Sequence, residues 1–386
     1  MEDRNPAGRQ GSGKAHRALW CGLALYVEWS AVRFRRFAEY VGGDVRGWLD
    51  GGEGELDARM EFLTKRQRTQ LRDLRRLGAA ALEARMRGWM EEVVLYGDEE
   101  YPTGLSDLKR PPAALHLRGD RRLLGRRGIA VVGSRKIGVK AASTARRILE
   151  PAVSRGLTVI SGGALGADAV AHRCALDCGG STVAVLPSGL SNLTPKRNRR
   201  LFHDIAEGRG LLLSEYAPDC GVRRYHFRRR NGLMAAMSRG VFVLRAAAKS
   251  GTMLTVDAAR ELERPLAAMP GSPEDPISRG CHETIRRGGA MIADGDDLLQ
   301  WWKELGGDVD EDEDDEKERA RRSDPDCQVL RSARRLVDAS GSFSMEVLVR
   351  ETGLSAAQLQ SKLLQHELAG IIERAGGGDR FRFLRA

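Results

Sequence analysis

Two glycine-rich turns lie about thirty residues apart in this chain, and each joins an apolar run to a helix-like segment. Gly133-Ser134-Arg135-Lys136-Ile137-Gly138 follows Ile129-Ala130-Val131-Val132. Ser161-Gly162-Gly163-Ala164-Leu165-Gly166-Ala167-Asp168 follows Leu157-Thr158-Val159-Ile160. A strand that ends in glycine and opens a helix presents unpaired N–H groups at the positive end of the helix, an arrangement suited to phosphate. Two such turns side by side on a parallel sheet point to a ligand with several phosphates. A dinucleotide site needs Gly-x-Gly-x-x-Gly, with an acidic residue about twenty positions later for the ribose. The first turn here is spaced Gly-x-x-x-x-Gly, and the second strand ends in Ser161-Gly162-Gly163 where the acid should be. A P-loop closes on Gly-Lys-Ser/Thr, whereas Gly138 is followed by Val139 and Lys140. Both nucleotide readings weaken.

A nucleic-acid backbone fits better, because basic residues gather at and beyond the same turns. Arg135 and Lys136 sit in the first turn; Lys196, Arg197, Arg199 and Arg200 follow a later strand end, around Asn198. Arg223, Arg224, Arg228, Arg229 and Arg230 surround Tyr225, His226 and Phe227. Cations interleaved with aromatics suit single strands, since phosphates take the charges and bases stack on the rings. Formal net charge is +10, despite eight acids in the nine positions Asp308 to Glu316, so the rest of the chain is more basic still. Ser250-Gly251-Thr252 either binds phosphate at a helix N-terminus or simply caps that helix. Asp168 and His172, at i and i+4, read as a helix-start carboxylate and a structural hydrogen bond in preference to an acid–base pair. Six cysteines show no framework spacing, which fits a reducing cytoplasm. His172, Cys174 and Cys178 lack a fourth ligand and read as packed helix residues. Neither a metal nor a cofactor is expected. Leu19 to Val27 is too short to span a bilayer, so no membrane association is expected.

The elements that must position these residues are legible in outline. Residues 1–17 are expected to lack structure, and 18–92 to form a small helical module with Leu23, Val27, Val32, Phe37, Leu71, Leu74 and Leu77 as packing positions. Residues 93–305 read as a Rossmann-like α/β domain with a doubly wound parallel sheet. Its strands are expected at 129–132, 157–161, 182–186, 210–214, 241–245 and 266–269, after a connector with strands at 93–96 and 114–117. Residues 306–324 form an acidic linker. Residues 325–386 read as three helices and a hairpin, the winged-helix pattern, with Ser355 as an N-cap. The last of these helices carries Lys362 as its one lysine or arginine, so it fits a protein contact no less than DNA reading.

The span from about Val94 to Trp301 resembles the bacterial DNA-processing protein A family (DprA, also called Smf). Gly133-Ser134-Arg135 is similar to its G-S-R turn, and Ser161-Gly162 through Gly166, Asp168, Ala171 and His172 to its S-G-x-A-x-G-x-D-x-x-A-H block. Pro195-Lys196 and Asn198, Leu213-Ser214-Glu215-Tyr216, Phe227 to Asn231, Ser250-Gly251-Thr252 with Thr255, Pro270-Gly271, Gly280-Cys281 and Gly289-Ala290 continue the series in order. The resemblance implies a dimeric, non-enzymatic, cytoplasmic protein that binds single-stranded DNA, protects incoming strands during natural transformation and loads the RecA recombinase. It implies DNA contacts for Gly133, Ser134, Arg135, Lys136, Ser161, Gly162, Gly166, Lys196, Asn198, Arg224, Phe227, Arg230, Asn231, Ser250, Gly251 and Thr252. The chain departs from the pattern at Leu165 and Gly232, where the family carries basic residues, and at Thr194 and Arg228. The alternatives are a Rossmann-like nucleotide hydrolase of the lysine-decarboxylase-like (LOG) group, for which Asp257 is wrongly spaced, and a nucleotide-sensing adaptor.

Overall fold

The apolar runs become strands of one nine-stranded sheet in the order β1-β2-β6-β5-β4-β3-β7-β8-β9. These are β1 (Val93–Leu95), β2 (Ala114–Gly119), β3 (Ile129–Gly133), β4 (Val159–Ser161), β5 (Thr182–Val185), β6 (Gly210–Ser214), β7 (Gly240–Arg245), β8 (Leu266–Ala268) and β9 (Ala290–Met291). This computed structural model describes residues 14–42, 44–51, 60–89, 92–307, 329, 333, 336–337, 342–352, 354–368, 372–375 and 379–383. They divide into two units, Met1–Val309 and Asp310–Ala386.

Alternation along each strand sends neighbours to opposite faces. Ala130, Val132, Val241 and Val243 enter one core, and Ile129, Val131, Phe242 and Leu244 the other. Both faces are therefore covered, which is why these strands read as unbroken apolar runs. Helices α6 (Val139–Val153), α7 (Ala167–Asp177) and α12 (Gly295–Glu304) pack on one face, closing on buried Trp301 and Trp302. Helices α9 (Arg224–Met237), α10 (Met253–Glu261) and α11 (Arg279–Arg286) contribute to the other. Helix α8 (Arg199–Glu207) covers β5 and β6 through Leu201, Phe202 and Ile205.

From β6 to β9 every pairing is parallel, but β1 pairs antiparallel with β2 and β2 antiparallel with β6. The six strands expected to form a parallel sheet do so, and the connector strands add two antiparallel pairings at this edge. The short 3₁₀ turn Arg121–Leu124 leads from β2 to β3 with no crossover helix, so β2 lies against the direction of its neighbour. The order reverses between β3 and β7, the place where open α/β sheets bind ligands at their strand carboxyl ends.

The helical layer comprises α1 (Lys14–Tyr26), α2 (Ala31–Val41), α3 (Val45–Asp50), α4 (Lys65–Leu77) and α5 (Ala79–Met86). It shares a core with Val93, Leu95, Ala113 and Ala114 and belongs to the same unit as the sheet. Helix α1 starts inside the stretch expected to lack structure. Arg17 pairs with Asp98 at 2.9 Å and Ala18 is buried, contacts too distant in sequence to be read there. Val32, expected inside, is 64% exposed, because Ala31, Phe34, Phe37 and Ala38 form the buried stripe of α2.

The second unit is a winged helix. Strand β10 (Ser342–Ser344) leads into α13 (Met345–Thr352) and α14 (Ala356–Leu368), then β11 (Ile372–Arg374) and β12 (Arg380–Phe383). The sheet order is β10-β12-β11, over buried Phe343, Leu348, Leu359, Leu363 and Phe381. Ser355 accepts from the Gln358 N–H at 3.3 Å, and the Gln358 side chain returns the bond to the Ser355 N–H at 3.0 Å, a capping box. The helix expected over 329–337 is described only at 329, 333, 336 and 337, and the acidic run lies outside the described residues.

Candidate nucleic-acid interface

The two glycine turns lean on each other at the carboxyl end of the sheet. Gly166 has φ +78°, and a Cβ there would stand 2.4 Å from the Arg135 carbonyl oxygen and 2.5 Å from that of Ser134. Only glycine allows this approach. The Ala167 N–H then donates to the Ser134 carbonyl at 3.1 Å, locking turn to turn. From β7, the Ser134 N–H reaches the Arg245 carbonyl at 2.7 Å, while the Arg245 guanidinium donates to the Ile137 carbonyl. Arg245 is in turn held by Asp275 at 2.6 Å.

Above this junction lies a cleft of about 540 Å³. Gly133, Ser134, Arg135 and Lys136 form one side; Ala164 and Asp168 come from the second turn; Phe227, Arg230, Asn231 and Met234 from α9; and Ser250, Gly251, Thr252, Leu254 and Thr255 from the β7–α10 segment. The cleft therefore sits at the reversal point between β3 and β7. The Arg135 guanidinium lies 5.6 Å from the Phe227 ring centre, so a cation and an aromatic face share the opening. Ser250 Oγ is buried with no hydrogen-bond partner among the described residues. Asn231 bridges the walls: its Oδ1 accepts from Arg230 Nε at 3.1 Å and its Nδ2 donates to the Gly251 carbonyl at 3.4 Å.

The arginines separate into two kinds. Arg230 is 6% exposed and donates to the carbonyls of Gly162 and Val185. Its guanidinium fills the space a side chain at Gly162 would need, 1.5 Å from the ideal Cβ position. Asp168 faces it at 4.0 Å and also accepts from the Ala164 N–H at 3.2 Å. Burial pushes the Asp168 carboxyl up and the Arg230 guanidinium down, and their mutual attraction opposes both shifts. Arg229 is held by Glu215 at 2.9 and 3.0 Å. Burial works against its charge, but the carboxylate outweighs burial and raises its pKa. By contrast Arg135, Lys136, Lys196, Arg224 and Arg228 are exposed and enter no ion pair among the described residues.

Several residues expected to touch a ligand lie beneath the site. Ser161 is fully buried and its hydroxyl donates to the Val131 carbonyl at 2.6 Å, so it joins β4 to β3. Asn198 is buried and donates to the carbonyls of Gly163 and Ala164 at 2.9 and 3.1 Å. It fastens the 3₁₀ turn Lys196–Asn198 to the second glycine turn, and Lys196 itself is exposed outside the cleft lining. Gly162 and Gly166 serve close packing rather than facing the cleft. Arg224 opens α9 outside the cleft lining.

His226, expected as a stacking aromatic, is corrected. It is fully buried, stacked on Tyr216 at 3.9 Å between ring centres. Asp168 and His172 are not an acid–base pair. The His172 Nδ1–H donates to Thr182 Oγ1 at 2.7 Å, since that hydroxyl gives its own proton to the Val159 carbonyl at 2.8 Å. Burial, helped by the Arg230 charge, pushes His172 down to about 3. Cys174 Sγ contacts the Arg146 carbonyl at 3.6 Å. A side chain at Gly232 would meet Leu108 at 3.7 Å, and position 232 is absent from the cleft lining. Sequence reasoning missed Arg245, Leu254 and Met234. Arg245 ends an apolar strand beside the reversal point, which was the available signal.

Comparison with known proteins follows the same geography. The pattern of the family described as DNA recombination-mediator protein A matches residues 92–303, and that of the DprA winged helix domain matches residues 339–378. DNA processing protein DprA of Streptococcus pneumoniae is 38% identical over 202 residues, 52% of this chain and 71% of the relative. Protein Smf of Escherichia coli is 31% identical over 297 residues, 75% of this chain and 78% of the relative. The crystal structure of the Streptococcus pneumoniae protein matches with TM-score 0.62 at 28% identity, over 75% of this chain and 98% of that one. A structure of DNA processing protein A from Helicobacter pylori, described for its single-stranded DNA binding mode, matches with TM-score 0.50 at 27% identity, over 55% and 96%. No helix among the described residues is long and apolar enough to cross a membrane.

Proposed function

The chain belongs to the DNA recombination-mediator protein A family, and on that premise we propose that it binds single-stranded DNA without catalysing a reaction on it. It protects incoming strands during natural transformation and, as a cytoplasmic homodimer, delivers them to the RecA recombinase. The observation that carries this reading is the cleft between β3 and β7. There the first glycine turn, the Arg135–Phe227 pair and the Ser250-Gly251-Thr252 segment converge, beside exposed cations with no ion-pair partner among the described residues. Phosphates would meet Arg135, Lys136 and the turn amides, and a base would stack on Phe227. Lys196 and Arg224 extend the same basic edge.

Asp168, the carboxylate on the cleft wall, is committed to Arg230 and the Ala164 N–H. That supports a binding role over hydrolysis with Asp168 as general base, which needs a carboxylate free to take a proton. The test is competition between labelled single-stranded and duplex oligonucleotides of one sequence. Preference for the single strand, independent of sequence, is expected. Equal affinity for the two forms, or release of free base from nucleoside monophosphates, would overturn the proposal.

A further inference from the structure

The helical layer meets the basic segment at the start of α9. Tyr225 is 37% exposed, and its hydroxyl donates to both Glu28 oxygens at 2.8 Å. Glu28 also receives Arg66 of α4, whose guanidinium lies 5.0 Å from the Tyr225 ring centre. The ring is thus fixed on three sides, with His226 edge-on at 4.5 Å, and still presents surface to solvent beside exposed Arg223 and Arg224. A polar ring held in place by a carboxylate at an open surface loses little entropy when a base stacks on it.

Helix α4 continues from that contact. Its sequence holds six basic residues and one acid, Asp73. Leu71 and Leu74 are buried, whereas Lys65, Thr69, Arg72 and Arg76 are exposed. Those four positions follow i, i+4, i+7 and i+11 and so form one outer stripe. It begins at Lys65, the residue preceding Arg66. The helix is anchored at that end by a capping box in which the Gln67 N–H donates to Thr64 Oγ1 at 3.2 Å and the Thr64 N–H to Gln67 Oε1 at 3.1 Å. A capped helix that carries a regularly spaced cationic stripe and packs Arg66 of its first turn on an ordered aromatic suits a flexible polyanion carrying bases.

We propose that the helical layer is a second segment of the polynucleotide track: a single strand leaving the cleft stacks a base on Tyr225 and lays its phosphates along the Lys65–Arg72 face of α4. This rests on the single-strand reading above. It assigns a ligand to a region whose sequence showed only packing, and it gives the Glu28–Tyr225–Arg66 contact a purpose beyond holding two layers together.

The experiment measures binding of the full chain to single-stranded oligonucleotides of graded length, for wild type, Lys65→Glu/Arg72→Glu, Tyr225→Ala and Tyr225→Phe. Wild-type affinity is expected to keep rising with length after the cleft is filled. The double variant should bind short oligonucleotides as wild type does, bind long ones about tenfold or more weakly, and lose about 1.4 from the salt slope for two phosphates. Tyr225→Ala should lose the long-strand gain, and Tyr225→Phe, which keeps the ring but not the bond to Glu28, should keep only part of it. Equal loss for short and long strands, or no loss for either, overturns the track while leaving the cleft reading intact. Failure of wild type to bind any single strand overturns both.

Discussion

Arg230 and Arg135 share a side chain and a cleft, yet their surroundings give them opposite work. Arg230 lies in the wall, fills the space over Gly162 and balances buried Asp168. Arg135 stands on the rim over Phe227, with no carboxylate partner among the described residues. The wall arginine builds the turn that offers backbone amides; the rim arginine is the group left for a ligand. Positive charge in the sequence is therefore a poor count of binding groups. What matters is which guanidinium the fold has already satisfied.

The sharpest way to break that contrast is to remove the wall arginine. Arg230→Met should destabilise the α/β unit by about 3–5 kcal/mol, because Asp168 is left buried without its counter-charge. Urea unfolding followed by circular dichroism reads this directly. A loss below about 1 kcal/mol, with DNA affinity abolished, would make Arg230 a ligand residue instead. Next in size is the wall's response to acid. His172 has its folded pKa depressed to about 3, below the ordinary value of 6.5. The unfolded chain therefore takes up a proton first as pH falls, so this contribution is complete above about 6.5 and is lost progressively toward 3. The slope approaches about 1.4 kcal/mol per pH unit. A His172→Gln variant should lack this part of the acid sensitivity in thermal melts, and an unchanged pH dependence would argue against a neutral buried imidazole.

On the rim the effects move from stability to affinity. Phe227→Ala should weaken single-strand binding roughly tenfold through lost stacking, with the salt slope unchanged because no phosphate contact is removed. A changed slope would mean that the ring chiefly positions Arg135. Smallest of all, Arg228→Ala should leave unfolding within about 0.5 kcal/mol of wild type and cost only a few-fold in affinity at low salt. A large loss there would move the centre of the interface away from the cleft.

Much of the fold was legible because it is local. Strands at 129–133, 210–214 and 240–245 announce themselves as apolar runs bounded by glycine, and the two turns are visible as glycine spacing. The antiparallel edge was not legible, since three-residue β1 and six-residue β2 are compatible with either direction. Of the site, the sequence showed which segments meet but not which arginines remain available. Glu215 and Asp168 decide that for Arg229 and Arg230, and they lie just after β6 and in the first turn of α7. Only the folded sheet brings them within ion-pair distance. Tyr225 was visible as an aromatic among arginines, but its partner Glu28 is 197 residues away.

The central claim is that Arg135 on the cleft rim neutralises a phosphate of a bound single strand. It is tested most directly by titrating a labelled oligonucleotide over a range of salt concentrations with wild type and Arg135→Ala. The account predicts weaker binding across all sequences, a salt slope reduced by about 0.7, and unchanged thermal stability. Identical affinity and identical slope for the two proteins would contradict it.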